Sequence, residues 1–511
     1  MEQLIQNNLA SVAGFRPELV LTFGSIAMFM LDLVWRRSPS RRKLLTGAAV
    51  AVLVVAGILL AAQSTASTSL FNGMIASDGF ATFFKWLFLA AGVLTVLIAA
   101  QGEDFPSVRV GEFYGLLLAV ILGMFLMASA TNLLTIYLSI ELVSMVSYVL
   151  AGFRRHDRKA AEASLKYVIY GSVASGVMLF GMSYLYGLLG TADVLAFGTR
   201  IAALSATGAG GAATKLVLVV SLVFVTAGIG YKIASVPWHM WCPDVYEGAP
   251  TSFTAFLSVG PKAAGFAVAL RLFYGAFAGP TGATGLAESI AGVPWPAIIG
   301  VLSAVTMTVG NLTAISQTNL KRLLAYSSIA HAGYTLMGLA ALSAVGMQGV
   351  MIYMLIYLVM NLGAFLVVIA VAEATGSESI LDYRGLARRN SLAAVTFAIF
   401  LFSLTGLPPF AGFTGKWYLF YAVIERAAGP DGFWYGALAV IGALNTAVSL
   451  YYYARIVRAM FLDAPQVESI VEPKVGYQVM LGAFSAAILV FGVWWAPIVD
   501  WSQRSLAMLR G

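Results

Sequence analysis

Charge is scarce in this 511-residue sequence. Asp, Glu, Lys and Arg make up 10% of it, against about 25% in ordinary soluble domains. With 60% hydrophobic residues and a mean hydropathy of +0.87, the chain has too little polar surface to face water on every side. That excludes a soluble enzyme, and it equally excludes a disordered chain. Cysteine is reduced to one residue, Cys242, so no internal disulfide, thiolate zinc site or iron–sulfur cluster can be built. No Gly-x-Gly-x-x-Gly turn follows a strand pattern and no phosphate-binding loop is present. Redox or nucleotide chemistry linked to this chain belongs to other proteins, and the sequence holds no cofactor-binding or metal motif. The net charge of +7 would suit nucleic acid in a soluble protein. In a membrane protein the position of the positive charges is the better question.

What is present is a series of long apolar runs, at about 17–35, 44–62, 80–100, 113–129, 132–152, 163–189, 214–241, 251–275, 295–315, 323–342, 347–372, 392–424, 433–461 and 476–498. A spanning helix needs about 20 apolar residues, so these read as fourteen transmembrane helices in an all-α polytopic membrane protein. The run at 392–424 is too long for one straight helix. Strict alternation over about 10 residues, the mark of a β-barrel strand, is absent. The first run lacks the basic leader of a cleaved signal peptide and reads as a retained span. Alternate loops divide the basic residues unequally. One set holds Arg36, Arg37, Arg41, Arg42, Lys43, Arg109, Arg154, Arg155, Arg158, Lys159, Lys321, Arg322, Arg384, Arg388, Arg389, Arg455, Arg458 and Lys474. The other, which includes the termini, holds Arg16, Arg200, Lys215, Arg426, Arg504 and Arg510. The roughly three-to-one excess places the first set in the cytoplasm and both termini outside.

A few charges remain inside the spans, where each costs several kcal/mol and marks function by default. Lys85 and Arg271 lie about a turn from the ends of their runs and read as interfacial, with Asp32 beside Arg36 also interfacial. Glu141 sits at the middle of its run and cannot reach water. Lys262 follows Gly260-Pro261, a pair that loosens a helix and frees carbonyls for an ammonium or water. His331 is central in its run, near Ser327, Ser328 and Tyr334. Lys232 and Lys416 stand in apolar runs interrupted by Pro and Gly, at Pro237 and at Pro408-Pro409. Broken helices are tolerated in a bilayer only where protein or water satisfies the freed backbone, and paired breaks in two halves point to a transport site. Lys166, one turn inside its span, either reaches the interface or faces inward toward Glu141. Desolvation favours the neutral form of an amine and a nearby carboxylate favours the charged one. Lysines, a histidine and a glutamate at mid-membrane depth therefore suit a proton relay. His239, in the polar and aromatic stretch 238–246, reads as structural.

At these residues the sequence resembles a known family. The run from Gly230-Tyr231-Lys232 through Pro237-Trp238-His239-Met240-Trp241-Cys242-Pro243-Asp244-Val245-Tyr246-Glu247-Gly248-Ala249-Pro250-Thr251 is similar to the antiporter-like subunits of respiratory complex I. So are Gly260-Pro261-Lys262, the run Lys321-Arg322-Leu323-Leu324-Ala325-Tyr326-Ser327-Ser328-Ile329-Ala330-His331-Ala332-Gly333-Tyr334, and Leu407-Pro408-Pro409-Phe410-Ala411-Gly412-Phe413-Thr414-Gly415-Lys416. The Pro-Asp-Val-Tyr-x-Gly-Ala-Pro form resembles the N-type branch of that family in bacteria. The resemblance covers nearly the whole chain. It implies fourteen helices with two inverted five-helix repeats, each holding one broken helix. Residues 1–112 would form the first three spans, 113–275 the first repeat, 276–461 the second and 462–511 the last span. It implies that Glu141 is the charge-sensing glutamate, Lys232 its partner, Lys262 and His331 the central bridge, Lys416 the outlet lysine and Lys166 an extra lysine near the glutamate. It also implies a place in the bacterial inner membrane among neighbouring antiporter-like and small membrane subunits, in contact with lipid and without nucleic acid. FMN, iron–sulfur clusters and quinone would be held by partner subunits. Two other readings stand beside this one: a free-standing cation/proton antiporter of the same fold, and a structural spacer, against which the costly buried charges argue.

Overall fold

The computed structural model describes residues 2–63, 67–104, 109–206, 210–279, 286–429, 432–465 and 471–507; Arg510, counted with the outer charges, lies outside them. The chain runs α1 (Glu2–Gly14), α2 (Arg16–Val34), α3 (Arg41–Ala61), the hairpin β1 (Thr68–Leu70) and β2 (Ile75–Ser77), α4 (Gly79–Gln101), α5 (Val110–Ser129), α6 (Leu133–Ala151), α7 (Arg158–Leu189), α8 (Phe197–Ala206), α9 (Ala212–Ile233), α10 (Trp241–Gly248), α11 (Thr251–Phe277) and α12 (Trp295–Ile315). Then follow α13 (Leu320–Ala340), α14 (Ala344–Thr375), α15 (Leu386–Arg389), α16 (Ser391–Thr405), α17 (Ala411–Ala427), α18 (Gly432–Phe461), α19 (Val475–Val493) and α20 (Ala496–Ala507). The two short strands pair antiparallel, with Ser69 opposite Ala76. The protein is an all-α polytopic membrane protein.

Local chemistry sets the helix ends. Side chains of Asp78, Asn132, Asp157, Asn319, Ser343 and Asn390 accept backbone N–H groups at the starts of α4, α6, α7, α13, α14 and α16, the usual remedy for unpaired first-turn donors. Twelve of the described helices are long and apolar enough to cross a membrane. They match twelve of the fourteen expected runs. The other two expected runs are α13, whose Lys321, Arg322, Ser327, Ser328 and His331 make it more polar, and the 392–424 run, which splits into α16 and α17. The most apolar stretch of α11 is wholly buried and that of α14 is 89% buried, whereas α2 and α3 reach only 33%. Together with α13, buried along almost its whole length, α11 and α14 form the centre, and the more exposed helices form the rim.

Both expected helix breaks have definite geometry. α9 stops at Ile233; Ala234 adopts φ +58° and the N–H groups of Ala234 and Ser235 turn back to carbonyls of the last turn. A non-glycine residue in the left-handed region stores about 1–3 kcal/mol and persists only where its surroundings over-determine it. Here they do: Trp241 Nε1 bonds Tyr231 O at 3.1 Å, and Thr306 Oγ1 accepts Val236 N–H at 3.1 Å. α16 stops at Thr405, and Gly406 takes φ +88°, a conformation that glycine alone adopts without a Cβ clash. Val236–Pro237 and Pro408–Pro409 are cis peptides.

Four expectations are corrected. Lys85 does not reach the interface; it is buried and pairs with Glu18 at 2.7 Å. Arg271 is buried in a two-bond contact with Asp78, at 2.8 and 3.0 Å, and donates to Ala128 O. Asp32 is buried and pairs with Arg41. Lys321, counted among loop charges, is fully buried and bonds Ala249 O and Glu378, each at 3.0 Å. For Lys85, Arg271 and Lys321 the partner comes from a segment remote in sequence, whereas Asp32 meets Arg41 at the start of the next helix.

Candidate functional site

Four cationic or titratable side chains lie along the interior at 1–4% exposure: Lys232, Lys262, His331 and Lys416. None can reach water by extending its stem. Lys232, in the last turn of α9, donates to Ser144 Oγ at 3.0 Å. Ser144 stands one turn beyond Glu141 on α6. Glu141 is half-buried and its Oε1 has no protein hydrogen-bond partner; it shares no direct ion pair with Lys232 among the described residues. Lys262 donates to Ser328 Oγ at 2.7 Å, and Tyr246 OH lies 3.4 Å from that oxygen. α11 continues unbroken through Pro261, so the ammonium of Lys262 meets a hydroxyl from α13 rather than the freed carbonyl expected from the proline.

His331 is enclosed by hydroxyls. Its Nδ1 lies 2.5 Å from Tyr353 OH and its Nε2 3.3 Å from Tyr453 OH, which is also bonded to Ser327. Lys416 donates to Thr405 O at 2.8 Å, and its Nζ sits 4.2 Å from the Tyr334 ring centroid. Thr405 is the last residue of α16, so this lysine closes a helix C-terminus at the break. Lys232 occupies the last turn of the other broken helix. Both cations thus lie where unpaired carbonyls give the helix end partial negative charge. The Tyr334 ring centroid is 6.0 Å from that of His331, which links the histidine to the second break.

Lys166 does not face Glu141. It pairs with Asp244 at 2.6 Å and Glu162 at 2.7 Å. Asp244, on α10, also receives Arg322 from α13 at 2.6 Å, and Glu247 receives Arg322 and Lys159, each at 2.9 Å. This network ties the short helix after the first break to α7 and α13. Burial works against the Asp244 carboxylate, but bonds from Lys166 and Arg322 outweigh it and hold its pKa below the ordinary carboxylate value. Its anchoring is therefore complete above the usual carboxylate pKa and is lost only as pH falls through that lower folded value. Asp244→Asn is expected to cost about 2 kcal/mol, read as a lower midpoint for heat release of the subunit from membranes, with no change in that loss between pH 6 and 8. His239 is nearly buried, its Nδ1 without a partner.

Sequence reading named the charged members and missed the hydroxyls between them: Ser144, Tyr246, Tyr353, Tyr357 and Tyr453. The signal for two of them was available, since Tyr353 and Tyr357 stand four residues apart in an otherwise apolar run.

Residues 130–441 match the family model described as NADH:quinone oxidoreductase/Mrp antiporter, transmembrane. The chain is 70% identical, over 99% of each chain, to NADH-quinone oxidoreductase subunit N of an Anaeromyxobacter species. It is 47% identical, over the full length of both, to NADH-quinone oxidoreductase subunit N 2 of Sorangium cellulosum. Among solved structures, a chain of respiratory complex I from Thermus thermophilus with bound aureothin superposes with a TM-score of 0.76 at 30% identity, covering 95% of this chain and 98% of that one. With the breaks, the buried lysines and the full-length identity in agreement, the chain belongs to the subunit N family of NADH-quinone oxidoreductase.

Proposed function

We propose that this chain is a proton-translocating subunit of the membrane arm of NADH-quinone oxidoreductase, in the bacterial inner membrane. Glu141 and Lys232 sense the energy of electron transfer, Lys262 and His331 carry the proton across the centre, and Lys416 delivers it outward. The observation that supports this reading most is the set of four buried groups, each bonded to a hydroxyl or carbonyl and none to a carboxylate. Such a cation is held loosely enough to lose its proton, whereas a lysine locked to a buried carboxylate is not. Lys166 acts at the inner end, through Asp244, rather than on Glu141.

Both termini lie on the periplasmic side and the basic loops in the cytoplasm. The two repeats, 113–275 and 276–461, are inverted. In support, α9 and α16 each stop at a left-handed residue, Ala234 or Gly406. Partner subunits hold FMN, iron–sulfur clusters and quinone. One of them covers α6, where Leu134, Leu138, Met145 and Val149 are each more than half exposed around Glu141; a mid-depth carboxylate on an outward stripe needs protein beside it.

The test is proton uptake driven by NADH in inverted vesicles carrying the assembled complex. Lys232→Met is expected to lower pumping about tenfold or more with normal assembly. Wild-type pumping in that variant overturns the relay.

A further inference from the structure

The relay has two gaps as its charged members stand, one between Ser328 and His331 and one between His331 and Lys416. Both are lined by α14. Tyr353 and Tyr357 lie one helical turn apart on it, fully buried, with ring centroids 6.3 Å apart and planes 21° from parallel. The Tyr357 ring centroid is 5.2 Å from that of His331, and its hydroxyl has no hydrogen-bond partner in the protein. A buried hydroxyl without a protein partner is costly unless something else bonds it. Tyr353 bonds His331 Nδ1, and its ring packs against Gly415, the residue before Lys416, so closely that a Cβ at position 415 would lie 2.6 Å from a ring carbon. Packing alone would be served by phenylalanine at either position. The chain instead places two hydroxyls in its driest region, where each must find a partner.

We propose that Tyr353 and Tyr357 are proton-carrying residues of this subunit, Tyr357 serving the passage from Ser328 to His331 and Tyr353 the passage from His331 to Lys416. The proposal rests on the relay reading above. In the second passage the oxygen of Tyr353 takes the Nδ1 proton of protonated His331 while its own hydroxyl proton moves on to the neutral amine of Lys416. One O–H bond forms and one breaks. The tyrosine is neutral before and after, and one positive charge passes from imidazole to amine.

The experiment uses the whole complex in inverted vesicles, with proton uptake and NADH oxidation measured in H2O and in D2O. The Tyr353→Phe/Tyr357→Phe double variant keeps both rings. It is expected to assemble normally, to pump about tenfold more slowly, and to show a larger H2O/D2O rate ratio than the wild type. Wild-type pumping in this variant, while Lys416→Met is impaired, overturns the proposal and leaves the relay standing. Wild-type pumping in both overturns the relay itself. Slower pumping with an unchanged isotope ratio assigns the tyrosines a packing role and also overturns the proposal. If the double variant fails to accumulate, Tyr357→Phe alone, whose hydroxyl has no protein bond to lose, carries the same readouts.

Discussion

A complex carrying Lys262→Met in this subunit is expected to lose about nine-tenths or more of its NADH-driven proton uptake, with the subunit still present in the membrane at its normal level. Lys262 stands on α11, and Ser328, its partner, on α13. Methionine fills a similar volume and needs no hydrogen bond, so packing is preserved while the titrating group is lost. The informative comparison is with Lys262→Arg and Lys262→His. Arginine keeps the positive charge but holds its proton under all physiological conditions. Histidine is the smaller group and titrates near neutrality. A relay therefore fails with arginine and is partly restored by histidine. A lysine serving only as a fixed charge gives the reverse order, with arginine the better substitute. Vesicle pumping in the three variants, each normalised to subunit content, separates the two, and rescue by arginine would falsify the relay role of Lys262.

The parts of this design that are legible in the sequence are those where depth alone carries meaning. Lys262 and His331 are each more than two turns from either end of an apolar run, so burial follows from chain position with no knowledge of neighbours. Pro237 and Pro408-Pro409 stand where α9 and α16 give way to a new helix, but proline alone does not make such a break, since α11 runs on through Pro261. What could not be read is how helices far apart in sequence cover one another. Lys85 is a turn inside its own span, a depth from which a lysine ordinarily reaches the headgroups. It does not, because the start of α2 lies against it. Lys166 stands about as far into its own span, and its partner is decided by where the chain after the first break turns back as α10. The uncharged links, Ser144 and the tyrosines of α14, were hidden for a different reason. A hydroxyl in a membrane helix commonly bonds its own backbone, and only the fold shows which ones face a titrating group.

The Lys85–Glu18 pair has the second large expected effect. Their side chains are 3% and 1% exposed, the contact is 2.7 Å, and Lys85 Nζ lies 5.7 Å from the Phe125 ring centroid. Glu18 Oε2 has no protein partner, so most of what holds this carboxylate is the one ammonium. Lys85→Met strands it, at a cost of about 3–5 kcal/mol. Glu18→Gln strands the ammonium at comparable cost. Removing both together, as Lys85→Met with Glu18→Leu, takes away the desolvation penalty along with the attraction, and such replacements are often neutral. The double variant is thus expected to be more stable than either single one, measured as the heat-resistant fraction of subunit in detergent-solubilised complex. If the losses simply add, the two charges are not coupled. The same variants also ask whether α2 and α4 take part in transport. The pair has no bond to any member of the central axis, so the stable double variant is expected to pump at the wild-type rate per complex. A drop in protons moved per NADH, with assembly intact, would instead make this pair part of a second path through the N-terminal helices.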